Sequence, residues 1–83
     1  MKRKRLTNKN RIPTPASETT IVVNYSPVAR VLEVVFTGGE TYHYLGVEPE
    51  VWEEYKTTIQ KGGSSGVFVN KRIKPFYDDV KIS

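Results

Sequence analysis

Gly38-Gly39 separates two alternating stretches, Val-Leu-Glu-Val-Val-Phe from Val31 to Phe36 and Thr-Tyr-His-Tyr from Thr41 to Tyr44. A glycine pair between alternating runs is a strong hairpin signal, and the loop length decides which side chains share a face. Two registers are open. A two-residue Gly38-Gly39 turn sets Val34 opposite His43 and puts Tyr42 and Tyr44 on the face of Glu33. A three-residue Thr37-Gly38-Gly39 loop, with its last glycine left-handed, pairs Phe36 with Glu40, Val34 with Tyr42 and Leu32 with Tyr44. The second is preferred: it gathers Leu32, Val34, Phe36, Tyr42 and Tyr44 on one apolar face and leaves Glu33 opposite His43 on the other. A slip of one residue would mix the two faces.

What lies around the hairpin extends it into a small α+β domain. Thr20 to Tyr25 is β-branched and aromatic, with Ile21, Val23 and Tyr25 alternating against Thr20, Val22 and Asn24, and Ser26-Pro27 ends it. An antiparallel return through Ser26 to Arg30 makes a three-stranded meander. After Leu45-Gly46-Val47 comes Glu48-Pro49-Glu50, a helix start, since proline suits the first turn and carboxylates favour the positive end of the helix dipole. The predicted helix runs from Pro49 to Lys61 with Val51, Trp52, Tyr55 and Ile59 as one apolar stripe, which covers the sheet face that carries the two tyrosines. Gly62-Gly63 closes it. Ser64-Ser65-Gly66 offers a cap for a shorter second helix through Val67, Phe68, Val69, Asn70 and Ile73, with Pro75 as its limit and Phe76-Tyr77 packing back on the core. The expected order is β-β-β-α-α.

Charge divides the chain more sharply than its total suggests. The net charge is +4, yet six of the thirteen basic residues, Lys2, Arg3, Lys4, Arg5, Lys9 and Arg11, fall in the first 11 positions without an acid. The other 72 residues hold seven basic and nine acidic side chains, a net of −2. The reading is a basic flexible arm over 1–18, a single domain over 19–79 and a short tail over 80–83. Attachment to a polyanion and a merely solubilising extension both explain such an arm. No cysteine and one histidine leave neither a disulfide framework nor an ordinary zinc site, and apolar runs are too short for a membrane span or a signal peptide. A cytoplasmic protein without cofactor, metal or membrane is the expectation.

Several of these residues together resemble the KTSC domain. The strand with Tyr25, the Leu32-x-Val34-x-Phe36 run, the glycine turn, the Tyr42-x-Tyr44 pair, Val47, and a helix with Val51 and Tyr55 follow that family's order. Ser64-x-Gly66-x-Phe68-x-Asn70-x-x-Ile73-Lys74-x-x-Tyr77 is similar to its closing pattern, so the likeness spans about residues 21 to 77. The family occurs at the C-terminal end of some lysyl-tRNA synthetases and as small free-standing bacterial or phage proteins. The resemblance implies the fold, with RNA binding as a proposed activity. This chain departs from the pattern at Ser65, where a basic residue is common, at Val69, where phenylalanine is usual, and at Pro49, one position late.

The residues themselves offer binding chemistry rather than catalysis. Lys71, Arg72 and Lys74 form the one dense basic cluster of the domain, beside Asn70, and suit a phosphate backbone unless they are a solvated helix face. Ser64 and Gly66 are candidates for a phosphate cradle at a helix start, against the plainer reading of a serine cap. Tyr42, Tyr44 and Tyr77 are candidate aromatic contacts for bases, which requires exposed rings; under the preferred register Tyr42 and Tyr44 are core residues instead. His43 opposite Glu33 makes a cross-strand pair, and Glu53 and Glu54 diverge on their helix, so no enzyme is expected. The arm's Lys2, Arg3, Lys4 and Arg5 complete the nucleic-acid reading, RNA before DNA. A protein-interaction or structural module using the outer sheet face around Val22, Val35 and Leu45 is the alternative.

Overall fold

A computed structural model describes residues 5–6 and 10–83. The central hairpin adopts the three-residue loop. β3, Val31–Phe36, pairs with β4, Thr41–Leu45, in the register Leu32 to Tyr44, Glu33 to His43 and Val34 to Tyr42. Phe36 N donates to Glu40 O at 2.8 Å and Gly39 N to Phe36 O at 3.0 Å. Gly39 sits at φ +93°, a conformation that side-chain-bearing residues rarely adopt.

Two further strands enlarge the expected meander. β1, Ile12–Pro13, pairs with β2, Thr20–Ser26, and β5, Asp79–Lys81, pairs with β4. The sheet is therefore five-stranded and antiparallel, in the order β1-β2-β3-β4-β5. Residues placed with the arm and the tail by sequence are edge strands, too short to show periodicity. Pro13 lacks an N–H and suits an outer edge. Thr14 is buried beside it, its hydroxyl 2.8 Å from that of Thr20. A bulge between Thr20 and Val22 takes Ile21 out of the expected alternation and leaves it 50% exposed, while Val23 and Tyr25 keep their inward places.

α1, Pro49–Gln60, lies over the inner face with Trp52 and Tyr55 buried and Val51 and Ile59 at its margins. Four rings tie it to its neighbours: Tyr25 stacks on Trp52 at 5.3 Å, Trp52 meets Tyr55 edge-on at 6.1 Å, and Tyr55 stacks on Phe68 at 4.4 Å. Such rings bury large areas, and each contact adds about 0.5–1.5 kcal/mol beyond burial. Tyr25 reaches through the core to donate its hydroxyl to Val47 O at 2.6 Å.

α2, Ser65–Phe68, continues without a break into a π-helical turn, Val69–Ile73, closed by Lys74 N on Val69 O at 2.8 Å. Phe68, Val69 and Ile73 face the core. Tyr77 packs against it as expected; Phe76 does not and is 65% exposed. Among the described residues, no helix is long and apolar enough to cross a membrane.

Candidate binding cleft

The end of the central hairpin, the second helix and β5 enclose a cleft of about 570 Å³. Phe36, Tyr42 and Tyr44 line it from the hairpin, Gly66, Asn70 and Lys74 from the helical segment, and Asp79 from β5; Thr19, Thr37 and Glu40 complete the lining. The convergence follows from spacing. Tyr42 and Tyr44 alternate onto one face of β4, and Asn70 and Lys74, four residues apart, share a side of the helical segment whose other side buries Val69 and Ile73.

Inside the cleft the rings are walls rather than platforms. Phe36 and Tyr42 meet edge-to-face at 5.8 Å, and Lys74 Nζ stands 5.5 Å from the centre of the Phe36 ring, a cation over an aromatic face. Tyr44 is 1% exposed, and burial, helped by the Asp79 carboxylate and by Tyr42, pushes its phenol up to about 12. Lys74 shares the cleft lining with two carboxylates, Glu40 and Asp79; Glu40 also reaches Lys81 at 3.5 Å. Lys74 alone cannot make this a polyanion site.

The remaining candidates lie elsewhere. Lys71 and Arg72 border a separate apolar depression with Val67 and Phe68. Arg72 is held by both oxygens of Glu54, at 2.7 and 3.2 Å, so Lys71, Arg72 and Lys74 do not act as one patch. Tyr77 is no part of the cleft lining; burial and then Glu48 raise its phenol above the ordinary value. Arg5 is paired with Glu33 at 3.0 Å, and Lys2, Arg3 and Lys4 lie outside the described residues.

The suggested phosphate cradle is already filled by the protein itself. Ser64 caps α2, its Oγ accepting from Val67 N at 3.3 Å, and Ser17 Oγ accepts from Gly66 N at 3.2 Å. A Cβ on Gly66 would stand 2.1 Å from Thr19 Oγ1, so the glycine serves a close approach of chain segments. Ser65 is buried with its hydroxyl on that of Tyr55. Sequence reasoning also missed Thr19 and Asp79 as cleft residues, because the Ser17–Thr19 turn and strand β5 were unseen; Glu40 was placed opposite Phe36 by the register but not weighed as a cleft residue. On the outer face Val22 is buried and Val35 and Leu45 are half-buried, so the surface proposed for a protein partner is smaller than sequence implied.

The comparison with known families rests on the same segments. A profile of the KTSC domain matches residues 17–77. The chain belongs to the KTSC family. A protein of Tsukamurella paurometabola is 38% identical over 58 residues, which cover 70% of this chain and 81% of that one. The crystal structure of a KTSC domain protein from Yersinia pestis superposes with a TM-score of 0.68 at 32% identity, covering 89% of this chain and 97% of that one. Tyr42, Tyr44, Asn70 and Lys74 fall within the matched KTSC segment, whereas Asp79 lies beyond it.

Proposed function

We propose that this KTSC domain is a non-enzymatic cytoplasmic module that binds single-stranded RNA weakly, its cleft taking one unstacked nucleotide. What supports the reading is the convergence of Tyr42, Asn70 and Lys74 from distant segments on one cleft. An amide, phenol hydroxyls and two carboxylates match the mixed donors and acceptors of a base, whose exocyclic amine suits Glu40 or Asp79. One lysine against two carboxylates disfavours phosphates inside the cleft. Phosphates are then met outside it, by Lys71 and by the arm's Lys2, Arg3 and Lys4. Stacking on Tyr44 plays no part, since its ring is buried. The only histidine is buried against Glu33 and is not among the cleft residues, which favours binding over acid-base chemistry. The alternative of a protein-interaction module on the outer face is weakened by the burial of Val22.

Fluorescence anisotropy with a labelled single-stranded RNA and a DNA duplex over a salt series tests this, using the full chain, a chain lacking residues 1–4, and point variants. Asn70→Ala should weaken RNA binding about tenfold, the loss of about one hydrogen bond to a polar partner, without changing the salt slope. Lys71→Ala should flatten the log-log slope by about 0.7, the value for one phosphate contact on a single strand. Binding that disappears with residues 1–4 and ignores Asn70 and Lys74 would remove the cleft from the account.

A further inference from the structure

On the outer face of β3, Glu33 is 1% exposed, and its two oxygens meet three partners. Oε1 accepts from Arg5 Nε at 3.0 Å; Oε2 accepts from the Leu6 backbone N–H at 2.9 Å and pairs with His43 Nε2 at 2.8 Å. Two of those partners come from one stretch, Arg5–Leu6, so a single carboxylate fixes that stretch to the sheet. A buried carboxylate stays ionised only if donors replace its water. Burial alone would raise the Glu33 carboxyl, but the Leu6 amide, His43 and Arg5 together hold it below the ordinary value of 4.5.

The charged groups around Glu33 are few. Arg5 approaches from the N-terminal segment and His43 from β4, while Asn24, uncharged, is its neighbour on β2. Val80 of β5 stands opposite His43; Asp79 on that strand belongs to the cleft, and Lys81 pairs with Glu40. His43 Nδ1 is buried without a hydrogen-bond partner among the described residues. With the proton on Nε2 the ring donates to Glu33, and its Nδ1 is left as an acceptor without a described partner. Among the described residues Arg5 is the one permanent cation on this carboxylate, and its side chain is half exposed, within reach of a competing anion.

We propose that Glu33 is a clasp that docks Arg5–Leu6 on the sheet and withholds part of the arm's positive charge until a polyanion takes Arg5 away. While the clasp is closed Arg5 is neutralised by Glu33. Opening it frees the Arg5 guanidinium for a phosphate or sulfate. The clasp is complete above pH 4.5 and is lost as the pH falls through the lowered value of Glu33. It is independent of what the cleft binds.

The ¹⁵N heteronuclear NOE of the Leu6 amide in the full chain reads the clasp directly, because it separates ordered from mobile backbone on the ps–ns timescale. At pH 7 Leu6 should match the amides of β3. In Glu33→Gln it should drop to the values of a mobile terminus while β3 and β4 keep theirs, and added heparin should produce the same drop in the unaltered chain. Leu6 that stays ordered in Glu33→Gln, or is already mobile in the unaltered chain, overturns the clasp; Leu6 that stays ordered under saturating heparin overturns the withholding of charge. Should Glu33→Gln fail to fold, Arg5→Ala decides in its place, since it leaves the buried carboxylate intact and must loosen Leu6 on this account.

Discussion

Replacing Gly66 by alanine should destabilise the domain, and trimming the side chain of a residue 47 positions earlier should reverse the effect. The new Cβ would lie 2.1 Å from Thr19 Oγ1, against 3.3 Å from Ser17 Oγ and 3.5 Å from Thr19 Cβ. Only the first contact is impossible, so Thr19 must move by about 1 Å, which overpacking data put at about 1–3 kcal/mol. That movement strains the Ser17–Thr19 turn and with it the Gly66 N to Ser17 Oγ bond of 3.2 Å, a further ~1 kcal/mol. Against this, alanine is favoured over glycine inside a helix by about 1 kcal/mol. The net is a loss of roughly 2 kcal/mol, or about 8–16 °C in Tm for a domain of this size. In a Thr19→Ala background the 2.1 Å contact vanishes and the remaining ones are tolerable. Gly66→Ala should there be neutral or slightly stabilising. Thermal melts of the four proteins in the cycle check this. An equal loss in both backgrounds would show that the glycine is needed for some reason other than the approach of Thr19.

Tyr55→Phe should cost about 1–3 kcal/mol in urea denaturation, because it leaves the buried Ser65 hydroxyl unpaired, and adding Ser65→Ala should recover part of the loss. In a spectrophotometric titration of the folded protein the Tyr44 phenol should ionise only near pH 12, with the buried Tyr55 phenol later still, and Tyr44→Phe should remove the component near pH 12 while leaving the later one. Glu33, with its carboxyl lowered from 4.5, contributes stability that is fully present above that value and is lost as the pH falls through the folded one. Urea midpoints of the unaltered chain and Glu33→Gln should therefore differ at pH 7 and draw together as the pH is taken below 4.5 and through the lowered value of Glu33, and a constant gap would contradict the assignment.

The hairpin was legible because turn chemistry and face composition agree: only the three-residue loop keeps Glu33 off the face of Tyr42 and Tyr44. β1 and β5 were not, since two and three residues carry no period and their pairing is dictated by the strands beside them. The bulge at Ile21 is likewise a property of the pair β2–β3 rather than of either strand. Within the site, that Lys71, Arg72 and Lys74 do not share one surface was legible in part. At about 100° per residue Arg72 and Lys74 point some 200° apart on a helix, so one surface could not hold both. That Glu54 would capture Arg72 was not legible, because the two are 18 positions apart on separate helices.

The closing pattern that marks the family separates, once its contacts are known, into two sets with different meanings. Ser64 caps α2, Gly66 makes room for Thr19, and Phe68 and Ile73 fill the core. These four answer to the geometry of the helical segment, and any ligand would leave them unchanged. Asn70 and Lys74 are different: neither joins the core, and each turns a polar group toward the cleft shared with Tyr42 and Tyr44. A pattern built mostly from the first set identifies a fold far more readily than an activity. Swapping Asn70 and Lys74 while keeping Ser64, Gly66, Phe68 and Ile73 should then change what the domain binds and leave its stability nearly untouched, since surface substitutions outside caps and core rarely exceed about 0.5 kcal/mol.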